Sequence, residues 1–263
     1  MAVPARPSTA PPAPPPHRTG AFREVGTVRH ANIHAQRYRL RGSGRITGEV
    51  DVDEAELDGI VSVSGRLTAD RLEVKGTLEV GGDVTVRGTV RLRGTGRFLG
   101  GLTAGGLTTD GLVRISQGAR VTGPLSAKGT LEIGGDAVAT LFSSEGRVAI
   151  AGALRASEVD TVFESESTLG PVEAAIVSLR PRQLVPLPIE VPVLNPRAFL
   201  HVDRIEGERV DLEGVEVDYV KASQIVLGRH CHVTRIDGTI ARKDPTSYVG
   251  YESRTPPPHG LSR

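Results

Sequence analysis

The chain has 263 residues, a formal net charge of +1, 32 glycines and an apolar fraction of 38 %, but aromatics at only 3 % and no Trp. Such a chain cannot fill a wide globular core with large rings, so a thin core of Val, Ile and Leu is expected. Near-neutral charge gives no basis for a nucleic-acid partner, because phosphate affinity needs concentrated Lys and Arg. Cys231 is the single cysteine, which rules out an intramolecular disulfide and fits a reducing compartment. The start, MAVPARPSTAPPAPPPH, lacks the apolar stretch of a secretory signal, and no run of about 18 apolar residues occurs. A cytoplasmic protein is therefore expected.

Residues 1–20 read as a disordered or extended tail, since seven of the 18 prolines fall in residues 1–16. From residue 21 to 158 the chain repeats. One glycine column runs Gly42, Gly59, Gly76, Gly94, Gly111, Gly129, Gly146, and a second runs Gly48, Gly65, Gly82, Gly100, Gly118, Gly135, Gly152. Steps in both are 17 or 18 residues. Four residues after each glycine of the first column stands Ile46, Val63, Val80, Phe98, Ile115, Ile133 or Ile150, all apolar and all but Phe98 β-branched.

Within one repeat, apolar pairs fall at Leu78 and Val80, Val84 and Val86, then Val90 and Leu92, each alternating with polar residues. This period of two predicts three short strands per coil, with glycine at the corners. Stacked coils of 17–18 residues then give an all-β, single-stranded parallel β-helix with one continuous ladder through those seven apolar residues. Helical readings fail because glycine recurs too often and the hydrophobic period is not 3.6. Val28, Ile33, Tyr38 and Leu40 suggest about one earlier coil.

Residues 159–198 read as an irregular, proline-rich insertion, because proline removes a ladder donor. Alternation resumes over 199–243, with a spacing nearer 15 residues. Those residues either continue the same helix or form a small separate β domain. Continuation is expected, since about 40 residues alone would struggle to stabilise a core. Residues 244–263, with Pro256-Pro257-Pro258, read as a second disordered tail. Nine to eleven coils over residues 21–243 would give a rod about 45–50 Å long.

No catalytic, cofactor-binding or metal-ligating constellation emerges from the residue pattern, so an enzyme is not expected. A hexapeptide acyltransferase is the main catalytic rival, because its strands also advance by six residues. Such an enzyme needs a base, and none of the seven histidines lies in the regular coils from 42 to 158. His230 and His232 on a strand would share one face with Cys231 on the other, which does not assemble the four ligands of structural zinc. The acidic run Asp51, Asp53, Glu54, Glu56, Asp58 occurs once and reads as a charged outer face rather than a calcium repeat. Gly81-Gly82-Asp83 and Gly134-Gly135-Asp136 read as corner turns. No phosphate-binding loop is present.

The segments GRLTADRLEVKGTLEVGGDVTVRGTV (65–90) and KGTLEIGGDAVATLFSSEGRVAIAGALRAS (128–157) resemble the bactofilins, a family of polymer-forming cytoskeletal proteins. The resemblance covers residues 42–158 best, and the usual family core is about half as long. It implies a right-handed β-helix that joins end to end into nucleotide-independent, nonpolar filaments serving as scaffolds for cell shape. Self would then be the chief partner. Protein partners at the tails and peripheral membrane association would be further ones, although this N-terminus lacks the short apolar stretch by which some relatives touch membranes. Unpaired strand edges at the two ends support assembly on physical grounds, with Val28 and Ile33 at one end and Val233 and Ile236 at the other as candidate interface residues.

Overall fold

The computed structural model describes residues 20–182 and 198–253. Every strand in it pairs in parallel, and together they form one winding sheet of 20 strands, a β-helix of about 13 turns. The segment Val50–Val63 shows how one turn is made. Val50 and Val52, Ala55 and Leu57, and Val61 and Val63 point inward and are buried, while the residues between them face out. Two inward side chains per face, on three faces, is the alternation expected from the sequence.

The predicted ladder is continuous. Ile46, Val63, Val80, Phe98, Ile115, Ile133 and Ile150 pair rung to rung, and none is more than 2 % exposed. It also runs further than the repeat alone indicated. His30 precedes Ile46, and Leu169, Val202, Val217, Val233 and Val249 follow Ile150. Twelve steps of about 4.8 Å make the rod about 58 Å long, more than the 45–50 Å expected.

The two glycine columns do different work. Gly59 has φ +132°, and the other members of its column, Gly42 to Gly146, also have positive φ. There the chain bends into a region that L-residues avoid. Gly65, in the second column, has ordinary φ, but a Cβ on it would lie 2.6 Å from the Gly48 carbonyl oxygen. Coils touch backbone to backbone at this corner. Corner side chains add axial bonds: Asp83 Oδ1 accepts from the Gly101 N–H at 2.8 Å, and Asp136 Oδ1 accepts from the Ala153 N–H at 2.9 Å. Both Gly-Gly-Asp segments lie at bends between strands, at the corners expected.

Two boundaries shift. Within the stretch read as an insertion, Ile176–Pro181 stacks in register on Glu158–Phe163 and opens the next coil, while Glu158–Phe163, Ser167–Leu169 and Val172–Glu173 form one regular turn. Its inward positions include Thr161 and Ser167, which hides the alternation in the sequence. Each finds a bond: Ser144 Oγ donates to Thr161 Oγ1 at 3.0 Å, and the Val148 N–H donates to Ser167 Oγ at 3.2 Å. The most proline-dense part of that stretch, residues 183–197, lies outside the described residues. At the other end, Tyr248–Ser253 is a strand paired with His232–Lys243, so the helix continues ten residues past 243. Residues 199–243 continue the same helix, since Ser167–Leu169 pairs directly with Leu200–Val202. Coil spacing there falls to 15 and then 16 residues, as in Leu200 to Val215 and Glu216 to His232.

Candidate assembly ends and outer faces

The first coil is made by Ala21–His30, whose only pairing among the described residues is with Ile33–Ile46. Its outer edge therefore presents backbone donors and acceptors that no described strand takes up. The inward positions of this coil are not uniformly apolar. Glu24 stands above Leu40 and His30 above Ile46. The two bond to each other, His30 Nε2 lying 2.9 Å from Glu24 Oε2, and the Tyr38 hydroxyl donates to the same oxygen at 3.0 Å. Burial, followed by that bond to Glu24, pushes the Tyr38 phenol well above its ordinary pKa. The trio plugs the end of the apolar column with mutually satisfied polar groups. Around it Phe22 is 49 % exposed and Val25 73 % exposed.

Of the two N-terminal interface candidates, Val28 lies on this outermost strand and is half-buried, whereas Ile33 is buried on the second coil. Ile33 and Tyr38 floor a recess of 230 Å³ walled by Phe22, Glu24, His30 and His34.

At the other end Tyr248–Ser253 is the outermost described strand. Val233 and Ile236 are fully buried one coil further in, covered by Val249 and Glu252 respectively. They belong to the core and not to an end surface. The exposed large apolar side chains of that strand are Tyr248 and Tyr251, each 60 % exposed, with half-buried Val249 between them.

The outer faces carry ion pairs between neighbouring coils. Arg37, Arg39 and Arg41 stack on Glu54, Glu56 and Asp58, at 2.7, 2.8 and 3.3 Å. Much of the acidic run is thus matched by cations of the preceding coil. Further along, Glu132 accepts from Arg114 at 2.5 Å and pairs with Arg147 at 2.9 Å. The bond from Arg114 holds the Glu132 carboxyl below its ordinary pKa, against a smaller opposing effect of burial.

Cys231 is buried with its thiol directed at the Leu212 carbonyl oxygen, 3.2 Å away, and burial raises its pKa. His230 sits exposed in a turn at φ 55°, and His232 is exposed against the Tyr248 ring, 5.1 Å between centroids. Among the described residues no group of three or more His, Cys, Asp or Glu is placed to hold a metal ion. Nor, among them, is any helix long and apolar enough to cross a membrane.

The sequence reading missed a second outer ladder. Arg204, Tyr219, Arg235 and Tyr251 are in register on successive coils. Arg204 lies 4.9 Å from the Tyr219 ring centre, and Arg235 lies 5.6 Å from Tyr219 and 5.8 Å from Tyr251. Only the register, not the spacing of a regular repeat, reveals it.

The fold and its faces define a single-stranded parallel β-helix, a shape consistent with a structural or scaffold protein. Compared with protein-family models, curated proteins and solved structures, the chain finds no match.

Proposed function

We propose that this chain is a structural protein that assembles end to end into nucleotide-independent filaments, after the manner of the bactofilins it resembles. The carrying observation is the pair of outermost strands, Ala21–His30 and Tyr248–Ser253, each paired on one edge only among the described residues. A parallel edge of this kind is a template for another copy of itself. Joining like ends is isologous and gives a filament without polarity.

The test is sedimentation and negative-stain microscopy of the purified protein in physiological salt, without ATP or GTP. Filaments are expected. Phe22→Lys together with Val25→Glu should block the N-terminal end, and Val249→Lys the C-terminal one. Each single-end variant should stop at dimers through its unaltered end, and the combination should be monomeric. Circular dichroism should report unchanged β structure throughout. A wild-type protein that stays monomeric at high concentration would sink the filament reading in favour of a non-polymerising binding scaffold.

A further inference from the structure

We infer that the Arg204–Tyr219–Arg235–Tyr251 ladder is a docking strip for a proline-rich segment, and that its occupant is the N-terminal segment of another copy of this chain. Tyrosines are scarce here: the sequence has 4, and Tyr219, Tyr248 and Tyr251 all lie on the last described coils. Tyr251 and Tyr248 are the large exposed side chains of the outermost strand, and Tyr248 packs edge-on against His232. Aromatic side chains with interleaved Arg are the composition of protein-recognition surfaces.

The spacing selects the ligand. Tyr219 and Tyr251 are separated by two coils, with Arg235 on the coil between. Two coils rise about 9.6 Å. A polyproline II helix repeats every three residues and rises about 9.3 Å per repeat. Prolines at i and i+3 would therefore fall on Tyr219 and Tyr251 in turn. Such a helix makes no internal hydrogen bonds, so its carbonyl oxygens remain open to donors such as the Arg235 guanidinium. The extended ligand loses little conformational entropy on docking.

The sequence contains matching prolines in one place. Pro4 and Pro7, Pro11 and Pro14, and Pro12 and Pro15 are its only pairs three residues apart. Pro186, Pro188, Pro192 and Pro196 are spaced two or four apart, and Pro256 to Pro258 are consecutive. The occupant comes from a second copy for a reason of reach. Gly20 opens the first coil and Tyr219 lies ten coils further on, about 48 Å away. Pro7 stands 13 residues before Gly20, a stretch of about 43–47 Å at full extension, so no pair spaced three apart can set both of its prolines on the strip of its own copy.

The probe is a fluorescein-labelled peptide of residues 3–16, titrated with the full chain and followed by anisotropy, while sedimentation on the same samples reports the assembly state. Saturable binding is expected. Tyr251→Ala, at an exposed position, should weaken it about tenfold, as should alanine in place of Pro4, Pro11 and Pro12 in the peptide. Absence of saturable binding would overturn the proposal. So would binding that ignores both the tyrosine and the prolines, or equal binding of a peptide of residues 254–263. Peptide binding without polymer would sink the filament reading and leave this one standing, and polymer without peptide binding would do the reverse.

Discussion

At Gly76 the backbone has φ +118°, and an added Cβ would run into the Gly59 carbonyl oxygen of the coil before. Gly76→Ala should therefore destabilise the protein by about 2–4 kcal/mol, strain and clash together. Gly106 makes the contrast: its φ is ordinary and its Cβ would meet Thr89 at 3.6 Å, a normal contact. Gly106→Ala should change stability by less than about 1 kcal/mol. Thermal unfolding of the two variants side by side checks both. Inside the ladder, Val80 is fully buried between Val63 and Phe98. Val80→Asp would put an unpaired carboxylate there and should cost several kcal/mol, on the order of the desolvation penalty, seen as lost β signal in circular dichroism.

Between coils, the link most open to titration is Glu132 with Arg114 and Arg147. Its folded pKa is depressed, so its contribution to stability is present above the ordinary glutamate range. It is lost as pH falls through the lower folded value. Glu132→Gln should lower stability at neutral pH by about 1 kcal/mol or less, because exposed pairs are worth little, and leave strongly acidic pH nearly unchanged, so the acid limb flattens. Chemical unfolding at several pH values reads this directly. The glycine columns and the Ile46–Ile150 ladder were legible in the sequence because corner geometry and a period of two leave few residue choices. The turn at 158–173 was not, since inward Thr161 and Ser167 look outward-facing when only hydropathy is read. Tyr248–Ser253 was missed for a related reason. Its register follows 16-residue coils, and Glu252 occupies the position that Ile236, Val220 and Ile205 hold on the coils before. The Arg–Tyr ladder depends on that same shortened register, and its members sit outside any repeated motif.

Across the whole rod, each coil touches only its neighbours, so stability is a sum of coil and nearest-neighbour contributions rather than one indivisible core. That separates two substitutions at the C-terminal end. Val249 lies on the outermost described strand and is half-buried, so a lysine there can turn its ammonium to water with the coil intact. Val233 is fully buried between Val217 and Val249, and a lysine there has no such exit. Val233→Lys should therefore melt the closing coils from about residue 215 onward, at a cost of several kcal/mol. The ladder from Ile46 to Ile150 should stay protected, because its rungs share no contact with the altered one. Hydrogen exchange resolved by peptide is the measurement. Fast exchange confined to 215–253 in Val233→Lys, with native protection throughout Val249→Lys, is the expected pair of results. Loss of protection along the entire chain would mean that the rod folds as one cooperative unit, and a Val233→Lys protein with native exchange everywhere would mean that its last coil does not cover Val233 as described.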